Sequence, residues 1–291
     1  MKSSNSLLVV LSAVFFIPAF AADVPSIPPV DLVRRTVQNE MKSSGDRDKY
    51  MYRDRVEKAH SSQTKLMVQT REAMAGIIIA YNDQPLTPEQ RQGEIDRIER
   101  FIKNPDELKK KQKQEKEDAE HVARIMKALP DAFLYEYDGT QPGKIGVGKE
   151  GHELVRLKFH PNPDYDPPSR VEQVLTAMAG TMLIDAVENR IAEIDGTLDH
   201  EVSFGWGIFG HLDKGGHFLV QQGDVDKGHW EITRMNLAFT GKILLFKSLN
   251  IKSDETATDF RRVANLSFAE GVQALEKASA TIGNTAPQNG K

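Results

Sequence analysis

The sequence has 291 residues, with 38 Lys and Arg against 42 Asp and Glu and a formal net charge of -4. That balance excludes a general nucleic-acid binder, which carries a basic excess. The absence of cysteine excludes disulfides, thiol nucleophiles, thiolate metal sites and a lipid-modified N-terminal cysteine, while a 39% share of hydrophobic residues is enough to build a core.

Residues 1–21 read as a secretory signal peptide. Lys2 supplies the positive start, Leu7 to Phe20 is apolar apart from Ser12 and Pro18, and Ala19-Phe20-Ala21 is a small-x-small cleavage pattern. The expected location is periplasmic or secreted after cleavage near Ala21. No later run reaches the roughly 20 apolar residues that span a bilayer, so the mature chain is expected to lack a transmembrane segment. Val30, Val33, Val37 and Met41 recur at helical spacing. Tyr50–Val56, Lys65–Gln69 and Gly76–Tyr81 read as strands, the last ended by Asn82-Asp83-Gln84-Pro85.

Thr87-Pro88-Glu89-Gln90 carries the marks of a helix start: a threonine cap, proline at the first helical position and glutamine at the capping-box position. Ile95, Ile98, Phe101 and Ile102 form its stripe. Asn104-Pro105 breaks it, and a second helix is expected from about Asp106 to Leu129, stopped by Pro130. Its first half is charged and reads as a solvated face. Its second half places Val122, Ile125, Met126 and Leu129 at core spacing.

The chain then turns β-rich. Ala132–Asp138 and Glu153–His160 are strand candidates. Gly146-x-Gly148-x-x-Gly151 lies between them, where a nucleotide fingerprint would need a following helix, so it reads as a hairpin loop. After a proline-stiffened loop, Arg170–Met178 reads as a short helix. Gly180–Asp185, Arg190–Leu198 and Glu201–Phe209 follow as strands, then His217–Gln222, Trp230–Phe239, Lys242–Asn250 and Thr256–Val263. Turns are expected at Asp213–Gly216, Asp224–Gly228 and Thr240-Gly241. Phe268–Ile282 is helical, and residues 283–291 form a polar tail expected to be disordered. Short connections imply antiparallel pairing, and strands with a helical insertion make an α+β fold. The domain is expected over residues 22–282, with its insertion at about 87–129.

Motifs for chemistry are sparse. His211-x-Asp213-x-x-x-His217 offers metal-ligand types, but it straddles an expected hairpin tip and no H-E-x-x-H is present. No G-x-S-x-G elbow is present, Ser203 lies in a strand, and Asp164 and Asp166 sit in a turn-forming proline loop. The expectation is therefore no catalytic residue, no metal site, no cofactor and no enzyme. Phe204, Trp206 and Ile208 share one face by period two, with Gly205 and Gly207 opposite, which suits a bend lining a pocket or a curved-sheet core. Arg170, Arg190, Arg261 and Arg262 are candidates for an anionic headgroup or for surface ion pairs.

The block Val202 to Phe218, with Phe159-His160-Pro161-Asn162-Pro163, Pro167-Pro168-Ser169-Arg170, Gly180–Asp185 and Leu244-Leu245-Phe246-Lys247, resembles a family of uncharacterised exported bacterial proteins. In architecture that family is similar to the outer-membrane lipoprotein carriers of the LolA/LolB type. The resemblance implies a strongly curved antiparallel sheet forming an unclosed barrel, helices covering its concave face, and an apolar cavity that accepts acyl chains. No carrier residue maps onto this sequence. Phe204, Trp206, Ile208, Ile98, Phe101 and Ile125 are the pocket candidates. The expected function is a periplasmic carrier of a lipid or an acylated protein. The alternatives are an envelope scaffold that binds a protein partner through its charged helix and, further off, an envelope hydrolase.

Overall fold

The computed structural model describes residues 26–43, 49–204, 210–243 and 247–285. The expected signal peptide, Trp206, Ile208 and residues 286–291 of the expected tail lie outside them. In chain order the elements are α1 (Pro29–Ser43), β1 (Lys49–Lys58), β2 (Ser61–Gln69), β3 (Met74–Tyr81), the short β4 (Gln84–Pro85), α2 (Pro88–Lys103) and α3 (Pro105–Ala132). Then come β5 (Phe133–Pro142), β6 (Glu153–Pro161), α4 (Arg170–Gln173) with a 3-10 turn at Val174–Ala177, β7 (Met178–Asp185) and β8 (Arg190–Leu198). The chain continues with β9 (Val202–Phe204), β10 (Gly210–Leu212), β11 (His217–Asp226), β12 (His229–Ile243), β13 (Lys247–Val263) and α5 (Phe268–Thr285).

All the strands join one antiparallel sheet, 13-stranded among the described residues, in the order β4-β3-β2-β1-β13-β12-β11-β8-β7-β6-β5, with β10 paired to β12 and β9 to β10. The two ends of this path do not pair, so the sheet is not closed into a barrel. No helix among the described residues is long and apolar enough to cross a membrane.

Each end of the sheet has its own core. At the β1–β3 end, Leu66, Val68, Ala75 and Ile77 pack against Ile98 of α2 and Phe268, Val272 and Leu275 of α5. At the β5–β8 end, Leu157, Phe159, Met182 and Ile184 pack against Leu32, Val33 and Val37 of α1 and Leu129 of α3. Each such aliphatic side chain contributes about 1.5–3 kcal/mol when fully buried. The glycine-rich loop is a hairpin connection, as expected. It folds onto β11, with Gly148 N–H donating to Gln222 O at 2.9 Å, and its Val147 is buried with Leu154, Leu183 and Trp230.

The helix caps follow from local chemistry. Thr87 and Gln90 form the reciprocal capping box ahead of Pro88. Asn104 then ends α2 and caps α3, its side chain accepting from Asp106 N–H at 3.3 Å. From Asn104 the 28 residues of α3 run about 42 Å at 1.5 Å per residue. Leu108 packs into the β1–β3 core and Leu129 into the β5–β8 core, while residues 116–122 between them are exposed.

Several sequence expectations need correction. Val122 is 62% exposed and Ile102 41%, because the helix stripes are narrower than their spacing suggests. Pro130 does not stop α3. It sits buried beside Leu129 and Ala132 in the last turn, where burial outweighs its poor helix propensity. Glu201–Phe209 is not one strand: Gly210 pairs with Phe204 and Leu212 with Val202, so the chain reverses between β9 and β10. Gly210 holds φ 128°, a value open to glycine alone at low cost. Thr240-Gly241 is not a turn but lies within β12. A Cβ at Gly241 would collide with the His211 carbonyl, so this glycine serves close strand approach.

Candidate functional site

The site is built where α2 and α3 pass the outer edge of β3. Alternate residues of a strand share a face, and cross-strand partners lie on the same face. Leu66, Val68, Ala75 and Ile77 turn toward α5. Lys65, Met67, Gly76 and Ile78 turn the other way, paired as Lys65 with Ile78 and Met67 with Gly76. Together with Met74 and, from the other face, Ala75, they line a cavity of about 190 Å³ at the β3 edge, whose remaining wall includes Ile98, Phe101, Phe268, Arg97 and Lys111. Phe101 and Phe268 meet edge to face at 6.1 Å, which suits the ring quadrupoles. A Cβ on Gly76 would collide with the Met67 sulfur, so the missing side chain makes room for the thioether.

Helix side chains cap the open edge of β3. Glu94 Oε2 accepts from Ile78 N–H at 3.2 Å, Glu115 Oε2 accepts from Met74 N–H at 3.2 Å, and Arg97 Nη2 donates to Gly76 O at 2.9 Å. The bare ladder groups of an edge strand are thereby satisfied. The same contacts commit two of the wall cations. Arg97 pairs with Glu94 at 2.8 Å, and Lys111 pairs with Glu115 at 2.8 Å.

The face of Lys65 and Met67 continues across the sheet. Leu157 pairs with Met182, Met182 with Ile194, Ile194 with Val220, Val220 with Met235 and Met235 with Glu255. Leu157 and Met182 are buried at 0% and 1% exposure, whereas Ile194, Val220 and Met235 are only half-buried. Helical cover is thus complete at one end of this row and thins toward the middle of the sheet.

Between that row and the cavity lies a carboxyl pair. Val56 pairs with Glu255, and Asp54, two residues earlier, pairs with Lys65, so all four share the face. Asp54 is 7% exposed and its Oδ1 has no hydrogen-bond partner among the described residues. Burial pushes the Asp54 carboxyl above its ordinary range, against the pull of Lys65. Burial, with the charge of Asp54, does the same to Glu255. Tyr52 beside them is raised by burial and then by the charges of Glu231, Asp54, Glu255 and Glu115.

A second polar cluster closes the far end of the strands. Glu40 of α1 accepts from Arg190 Nε and Ile191 N–H, each at 2.9 Å, and Arg190 lies 5.3 Å from the Trp230 ring centre. Asp185, fully buried, holds His152 Nδ1 at 2.8 Å and accepts from Val187 and Glu188 N–H. These bonds tie α1 and the hairpin loop to the β7–β8 turn.

The structure brings only some of the sequence candidates together. Ile98 and Phe101 line the cavity. Ile125 packs at the other end of the sheet, in the α1 core. Phe204 packs against the small cluster of Ala177, Leu198 and Val202. His211 and His217 do not face each other: His217 pairs with Asp195 at 2.8 Å, and His211 with Asp213 at 3.3 Å. Glu201, His211 and Asp213 place ligand-type atoms within 4.8 Å of one another, and the Ser203 hydroxyl donates to Glu201 rather than to a histidine. Of the four arginines, Arg190 is bound to Glu40 and Arg262 to Asp226. Sequence reasoning missed Lys65, Met67, Asp54 and Glu255. The one available signal was the alternation of Lys65 and Met67 with Leu66 and Val68, which marks a strand with both faces in use.

No family model matches the chain, and no curated protein does. A DUF1329 family protein from Desulfovibrio piger, known from its crystal structure, aligns with 84% of this chain and 97% of its own at 11% identity and a TM-score of 0.28. A superposition that loose transfers no residue role.

Proposed function

We propose that this protein is a non-enzymatic periplasmic carrier that holds the acyl chain of a lipid or an acylated partner between the sheet and its helices. The observation that supports the reading is the cavity of about 190 Å³ lined by Met67, Ile78, Ile98 and Phe101. Methionines give such a wall an adaptable, polarisable surface. The cavity is smaller than the roughly 300–1,000 Å³ of ordinary ligand pockets, so it takes one end of a chain. Helix α3, exposed along residues 116–122, acts as the lid. Each methylene moved from water into this environment contributes about 0.8 kcal/mol.

The test is to purify the protein from cell envelopes, extract it with organic solvent and identify lipids by mass spectrometry, with titration of a fluorescent fatty acid in parallel. A co-extracted lipid, and loss of fatty-acid binding in Ile78→Trp, support the carrier. No lipid and no affinity refute it. One observation favours a second reading, an envelope scaffold: the same exposed stretch of α3 offers a partner-binding arm. Cross-linking in intact cells separates the two, because a scaffold yields a protein adduct and a carrier yields a lipid adduct.

A further inference from the structure

Three cations stand on the cavity wall, and they differ in one respect. Arg97 is committed to Glu94 and the Gly76 carbonyl. Lys111 is committed to Glu115. Lys65 forms no ion pair among the described residues, although Asp54, its direct cross-strand partner, is buried and carries an oxygen with no donor. A half-buried ammonium beside a carboxyl with one unsatisfied oxygen would ordinarily close that pair, because an orphaned buried acceptor costs about 1–3 kcal/mol. Here Lys65 instead lines the cavity.

We propose that Lys65 is the anchor for the anionic head of the bound acyl ligand, so that the cargo is an acyl chain ending in a carboxylate or phosphate rather than a neutral lipid. This rests on the carrier reading and adds the chemistry of the head. The head sits at Lys65, where one charge-assisted hydrogen bond forms, and the methylenes next to it lie among Met67, Met74, Ile78 and Phe101. Asp54 and Glu255, hydrogen-bonded to each other, stand behind Lys65 as a competing acid pair. They weaken its hold on the ligand without displacing it, which makes the binding reversible. The other charged groups nearby are Glu115 of α3, Glu94 of α2 and Glu231 of β12. The first two are occupied by β3 N–H groups and cations, and Glu231 by Gln69 and His229.

The test compares dodecanoate, dodecyl phosphate and methyl dodecanoate by calorimetric titration against the full chain. An ionic head should bind roughly tenfold to a hundredfold more tightly than the ester, the range a charge-assisted bond covers. Lys65→Met should erase that preference, Lys65→Arg should retain it, and Asp54→Asn should widen it. A tighter phosphate points to a phospholipid head and a tighter carboxylate to a free fatty acid, and either supports the proposal. Equal affinity for acid and ester in the wild type overturns it while leaving the carrier reading intact, as does a preference that survives in Lys65→Met. Failure of all three probes to bind overturns both. Unchanged circular dichroism of Lys65→Met shows that the variant is folded.

Discussion

Glu40 and Arg190 show at the residue scale how expensive an unpaired charge would be here. Both side chains are below 10% exposure, at 7% and 8%, and Glu40 also receives Gln222 Nε2 at 3.1 Å. Removing one member of a buried pair strands the other, so Glu40→Ala is expected to cost about 3–5 kcal/mol in urea unfolding. A loss under about 1 kcal/mol, the size of a surface pair, would contradict the burial argument. Asp54 and Glu255 behave in the opposite sense. Their carboxyls titrate above the ordinary 3.8 and 4.5, so at these positions the folded chain holds protons more tightly than the unfolded one. Their contribution to stability is full below about pH 4 and is lost as pH rises through the raised values. Asp54→Asn, which removes one of the two like charges, should therefore melt higher than the wild type at neutral pH, and the gap should close as pH falls toward about 4. Thermal melts across a pH series read this directly, and a pH-independent gap would refute it.

At the scale of elements, the edge of β3 depends on helix side chains. Glu94→Ala leaves the Ile78 N–H without a partner and removes two of the three hydrogen bonds of Arg97, and should cost about 1–3 kcal/mol in urea unfolding. Combining it with Glu115→Ala bares the edge further, and light scattering should then show concentration-dependent association. The elements themselves were largely legible. Arg190–Leu198 was bounded as observed, and the Thr87 capping box is present, because period and cap chemistry are local. The misreadings share a cause. Gly241 looks like a turn residue until β10 is laid beside it, and Pro130 looks like a stop until it is seen buried in the last turn of α3. The site was half legible for the same reason. Ile98 and Phe101 announce themselves by helical spacing, but Lys65 and Asp54 acquire meaning only when β1 and β2 pair in register.

At the scale of the whole molecule, α3 links two cores that share no other helix among the described residues. Its middle, residues 116–122, is exposed, so any coupling it gives the two cores runs along the helix backbone. Ala119→Pro should weaken the helix by about 3 kcal/mol and uncouple the ends of the sheet. Scanning calorimetry should then resolve two transitions where the wild type gives one. A single transition, merely shifted, would show that the sheet alone couples the cores.

The pairing of β1 with β13 has a consequence for biogenesis. Lys49 meets Val263, about 200 residues later, in the interior of the sheet and not at its rim. Until β13 has emerged, β1 and β12 each present an unpaired edge, and the early and late strands are separate fragments with sticky sides. Non-local closure of this kind is slow, and exposed strand edges in the interim invite aggregation. A chain emerging from its N-terminus waits with its sheet in two pieces until nearly the last strand has emerged. A holding chaperone would be needed most during that interval.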